Sequence, residues 1–120
     1  MPACRVIRPA RSVVTMAEKL ALLVESDQYG RVHYGLAMAA AALASGRPVL
    51  LMFAMRAVRA LEPAGWTRLA GQPVETDAAL RARGVAGFEE LLSACLALEA
   101  RVMVCEMGLR ALDLTLADLR

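Results

Sequence analysis

The chain has 120 residues, enough for one domain of ordinary size and too few for two separate cores. It is 58% apolar with only 4% aromatic, so its core is built from Ala, Leu, Val and Met; such a chain does not remain a solvated coil. Three cysteines, an odd count, argue against a disulfide scaffold, and a net charge of +2 is too small for a binder that neutralises nucleic-acid phosphates.

Residues 1–17 differ from the rest. Arg5, Arg8 and Arg11 are the only charges before Glu18, and Pro2 and Pro9 interrupt any periodicity. An Arg-rich, acid-free start can be a targeting peptide, but an apolar segment of about 7–15 residues is missing, so the expectation is a loose tail. Met16-Ala-Glu-Lys is a natural start for the folded unit, 18–120.

Leu20–Val24 is a short continuous apolar run that stops at the polar Glu25-Ser-Asp-Gln-Tyr-Gly30, as expected of a strand buried on both faces. His33–Ser45 reads as an Ala-rich helix with Gly46 in the C′ position, and Pro48 stands where the helix cannot continue. Val49–Ala54 is the second buried strand, which completes a βαβ unit. A spanning helix needs about 20 consecutive apolar residues; Ser45-Gly46-Arg47-Pro48 breaks this stretch, so no membrane segment is expected.

Arg56–Leu61 predicts a short helix. Residues 63–84, with Gly65, Gly71, Pro73 and a turn of helix at Asp77–Arg83, predict an irregular loop or lid. Phe88–Leu98 carries Phe88, Leu91, Leu92, Cys95 and Leu96 on one face of a helix whose first turn holds Glu89 and Glu90. Val102–Cys105 is a third strand and Met107–Leu112 a short helix. The expected fold class is α/β: a small, mainly parallel sheet with helices on both faces.

In open parallel sheets ligands bind outside the carboxyl ends of the strands, where strand order reverses. With the first strand central, Cys105 comes within reach of Ser26, Asp27, Tyr29 and His33. Cys105 ends a strand and precedes a helix N-terminus, which favours the thiolate, while Glu106 opposes it. The competing reading is an inert, small buried residue. Cys95, on the apolar stripe, is expected in the core, and Cys4 in the tail. His33, the single histidine, is a candidate to assist a thiol or bind an anion, and Ser26–Gly30 to hold an anion at a helix N-terminus. No C-x-x-C, metal-ligand spacing or phosphate-loop motif is present, so neither a metal nor a cofactor is expected. Met52, Met55, Met103 and Met107 are expected to fill the core.

The string Gly84-Val-Ala-Gly-Phe-Glu-Glu-Leu-Leu-Ser-Ala-Cys-Leu-Ala-Leu-Glu-Ala-Arg-Val-Met-Val-Cys105-Glu-Met resembles the DsrE/DsrF-like sulfur-relay family in its acidic-capped helix and its short strand closing on Cys-x-Met. Lys19-Leu-Ala-Leu-Leu-Val, the Ala-rich helix and Pro-Val-Leu-Leu-Met-Phe53 are similar to that family's first βαβ. The resemblance implies a flavodoxin-like three-layer fold, a homo-oligomer (trimer or hexamer), Cys105 as a persulfide carrier and Met107 as part of its turn. It also implies sulfur-donor and sulfur-acceptor partners and a cytoplasmic sulfurtransferase. Asp113 stands where relatives commonly have Gly, and the sequence stops at Arg120 where relatives continue into a further strand. The alternatives are a non-catalytic oligomeric α/β module holding a small anion at the sheet edge, and a flavodoxin-type nucleotide- or flavin-binding domain.

Overall fold

Apolar runs too short for helices become strands here, and the longer Ala- and Leu-rich segments between them become the crossovers. The computed structural model describes residues 18–120, so the expected tail at 1–17, with Cys4, lies outside the described residues. The elements are β1 (Leu20–Val24), α1 (Tyr29–Ala44), β2 (Val49–Phe53), a 3₁₀ helix at Met55–Leu61, a second at Gly65–Arg68, α2 (Pro73–Ala82), α3 (Phe88–Ala97), β3 (Arg101–Val104), α4 (Glu106–Ala111) and a last 3₁₀ turn at Leu116–Asp118. The molecule is α/β, with a three-stranded parallel sheet, and among the described residues no helix is long and apolar enough to cross a membrane.

The strand order is β1-β2-β3, so β2, not β1, is central. Leu22 pairs with Leu51 and Leu51 with Val102, so one in-register row crosses the sheet. Both crossovers step the same way across the sheet, and crossovers of one hand then place their helices on the same face. That is observed: α1 and α3 pack together, and the Cys95 thiol of α3 donates to the Leu36 carbonyl of α1 at 3.6 Å. The core lies between this helical layer and the strand residues facing it: Val24, Val49, Leu51 and Phe53, flanked by Leu20, Leu22, Val102 and Val104.

Among the described residues, the expectation of helices on both faces is met on one face only. Side chains alternate along a strand, so Ala21, Leu23, Leu50, Met52, Arg101 and Met103 share the opposite face. The described residues leave that face open: Leu23 is 67% exposed and Met103 49%. Met103 is thus not a core filler, and Met107 is exposed as well.

Residues 63–84 are also more regular than a loop or lid. Pro73 starts α2 at a position where its missing N–H is no loss. Gln28 and Ala70 form a parallel bridge, so this segment is tied to the end of β1. The stronger tie is Asp77, only 4% exposed. Its Oδ1 accepts from the Tyr29 hydroxyl at 2.5 Å and from the Phe88 N–H at 2.7 Å, which joins α2 to the starts of α1 and α3. Gly87 lies against Asp77 and Arg81 so closely that a Cβ there would sit 2.9 Å from Asp77 Oδ2 and 2.7 Å from Arg81 Cδ. Trp66 stacks on Phe88 with ring centroids 5.6 Å apart and donates its indole N–H to Glu89 at 2.9 Å.

Candidate functional site

Cys105 follows β3 and is the N-cap residue of α4. Its N–H donates to the Phe53 carbonyl at 2.9 Å, which fixes the strand end against β2, and its own carbonyl accepts from Leu109 in the first turn of α4. The thiol is half-buried. It is pulled below the ordinary thiol range by the backbone N–H of Gly108 first, then by that of Met55, with a smaller contribution from Met107; partial desolvation and the Glu106 charge act the other way. Cys105 makes no side-chain capping hydrogen bond, so the amides at the start of α4 and in the turn after β2 act on the sulfur as nearby dipoles.

The local backbone explains how those amides converge. Met55 has φ 51, a left-handed conformation that a side chain with a Cβ adopts at a cost of about 1–2 kcal/mol. It turns the chain sharply out of β2 into the 3₁₀ helix. Gly108 permits the matching approach from α4: a Cβ there would lie 2.8 Å from both the N and O of Met55 and 2.9 Å from Val58 Cγ2. Residues that sequence reading placed among core fillers or in a helix turn, Met55 and Gly108, therefore shape the surroundings of the thiol. A positive φ and a backbone clash are properties of the folded chain. Only the glycine itself was a visible signal.

The other candidate residues serve elsewhere. Tyr29 is buried; desolvation first, and then its bond to Asp77, hold its hydroxyl well above the ordinary range, so it acts as a protonated donor. His33 stacks on Tyr29 at 5.5 Å between ring centroids, and its Nε2 donates to the Ala86 carbonyl at 2.9 Å. Ser26 Oγ accepts from the Gln28 N–H at 3.0 Å, closing a local turn. Gly30 is exposed within the first turn of α1. Asp27 faces Arg56 at 3.7 Å. Because β1 and β3 are opposite edges of the sheet, with β2 between them, the Ser26–Gly30 loop and Cys105 follow strands two spacings apart, roughly 10 Å. The strand order does not reverse among the described residues, so the crevice expected between these two loops is absent. Only Met107 of the assisting residues adjoins the thiol, through its backbone.

Cys95 is buried, and desolvation raises its thiol, as befits a core residue. Among the described residues no group of three or more His, Cys, Asp and Glu side chains could hold a metal ion. An open cleft of about 510 Å³ lies at the other end of the strands, lined in part by Lys19, Leu43, Arg47, Leu98, Glu99 and Arg101. It contains none of the groups around the thiol. In comparison with known proteins, no family model matches the chain, and no curated protein matches it either.

Proposed function

We propose that the chain is a sulfur-relay protein whose Cys105 carries sulfur as a persulfide. The observation supporting this reading is the place of the half-buried thiol, at a strand end and the N-cap of α4 beside the closely packed Met55 and Gly108 backbones, where nearby amides favour its anionic form. The Cys105 thiolate attacks the outer sulfur of a donor persulfide; one S–S bond forms as another breaks, and the donor leaves as its thiolate. An acceptor thiolate then takes the outer sulfur and releases the Cys105 thiolate, so the cycle needs no further oxidant or reductant. Such chemistry fits a reducing cytoplasm, with DsrE/DsrF-like relatives as the model and a homo-oligomer as the working form. His33, Ser26 and Tyr29 take no part in it, since their bonds lie elsewhere.

The test is intact mass after exposure to polysulfide. A gain of about 32 Da, one sulfur atom, that is lost on reduction and absent in Cys105→Ser is expected. A second reading, a non-catalytic α/β module, draws on the Glu106 charge beside the thiol, which opposes its anionic form. No adduct on Cys105 would favour that reading and overturn the first.

A further inference from the structure

The open face of the sheet is the least explained surface of the molecule. Parallel sheets occur almost only with both faces covered, yet Ala21, Leu23, Leu50, Met52 and Met103 form an apolar patch that no described element packs against. The occupant is argued from the pattern of charge and size on this face. Continuing the alternation of β1 by one residue at each end places Lys19 and Glu25 on the same row as Ala21 and Leu23. Both are exposed, and among the described residues neither is in an ion pair. The row therefore reads positive, small, large, negative.

We propose that this face pairs with the same face of a second copy about a two-fold axis lying over the Leu22–Leu51–Val102 row, perpendicular to the strands. That operation reverses strand direction and sets each residue against its counterpart mirrored across the row. Lys19 meets Glu25 of the second copy, Ala21 meets Leu23, Leu50 meets Met52, and the Arg101 stem lies along Met103. Opposite charges thus coincide at one step and small against large at the next, the other two pairs set long side chains together, and each contact occurs twice. Sheets stacked this way sit about 10 Å apart with strands within about 30° of alignment. A patch of a few hundred Å² is small beside the roughly 800 Å² per partner of a standard interface, so the pair dissociates on dilution. The inference deepens the homo-oligomer reading but rests on the sheet face, not on Cys105.

The experiment is sedimentation equilibrium of the full chain from about 10 μM to about 1 mM, a range chosen for an interface of this modest size. Average mass is expected to rise from one chain toward two. Leu23→Glu and Met103→Lys, both at exposed positions and checked for unchanged circular dichroism, are each expected to weaken association at least about tenfold. Lys19→Glu should weaken it, and Lys19→Glu combined with Glu25→Lys should restore it. A monomer across the whole range overturns the proposal. So does a monomer whose cysteine, introduced as Leu23→Cys, resists alkylation, which assigns the cover to another part of the same chain. An oligomer indifferent to Leu23→Glu and Met103→Lys overturns this face while leaving self-association intact. Failure of the double charge swap to restore pairing overturns the two-fold arrangement.

Discussion

At Cys105 a modest thiol is set apart from Cys95 by its neighbours alone. One sulfur lies at a helix N-terminus and the other within the helical layer, so their acidities move in opposite directions. Iodoacetamide is expected to modify Cys105 well before Cys95, and the pH–rate profile of Cys105 should have its midpoint below that of an ordinary thiol. Equal rates for the two thiols, read by peptide mass mapping, would contradict the arrangement. Gly108→Ala brings a Cβ onto the Met55 backbone, which can yield only by moving α4; a loss of about 1–3 kcal/mol is expected. The same substitution should shift the Cys105 profile toward higher pH, since α4 would carry its amides away from the sulfur.

Between elements, the junction of α1, α2 and α3 hangs on Asp77. Asp77→Ala strands the Tyr29 hydroxyl and the Phe88 N–H without acceptors in a buried site, and is expected to cost about 2–5 kcal/mol in urea unfolding. Tyr29→Phe, which removes one of two donors, should cost about 1–2 kcal/mol, and the pair should be non-additive. Nearby, the Arg120 guanidinium hydrogen-bonds Glu89 and holds its carboxyl below the ordinary range. A lowered folded value means the unfolded chain binds the proton more readily. The stabilisation is therefore complete above the ordinary carboxylate pKa and is lost as pH falls through the lower folded value. Both groups are partly exposed, so the gap between the native chain and Glu89→Gln should be no more than about 1 kcal/mol near neutrality. It should close on acidification.

The strands, α1 and α3 were legible because apolar runs and helical stripes are local patterns: Leu20–Val24 is a strand in both readings, and Phe88 begins α3 in both. α2 was read only as a turn of helix at Asp77–Arg83 within a loop, because the residues it buries are Pro73 and Asp77, a helix breaker and a charged residue that ordinarily marks a surface, and Gln72 in a left-handed turn gave no signal. The start of α1 was set too late, at His33, because Tyr29-Gly30 resembles a turn. Strand order was not legible at all. Pairing depends on which runs meet in space, and Leu20–Val24 carries no mark distinguishing an edge from a centre. The thiol was found from its place between strand and helix, but the expected partners failed with the assumed order.

At the scale of the molecule, the core of the described residues is one-sided, and substitutions should divide accordingly. Leu51→Ala, in the middle of β2 and fully buried under the helices, is expected to cost about 2–5 kcal/mol. Leu23→Ala, one strand away on the other face, should change the stability of the dilute chain by no more than about 0.5 kcal/mol. Comparable losses for the two, by thermal or urea unfolding at low concentration, would show the open face to be covered. The β1-β2-β3 order has a consequence for biosynthesis. Each strand after β1, as it leaves the ribosome, finds a pairing partner already made, and no later strand must be inserted between two earlier ones. The sheet can therefore grow outward from β1 in the direction of translation, with β1 and β2 joined before β3 exists. When β2 first pairs with β1, α1 is the one described element outside the strands already made, so among the described residues the second face and both edges of the pair await cover. The growing chain is then most exposed to mispairing until α3 and β3 arrive together to close the helical side.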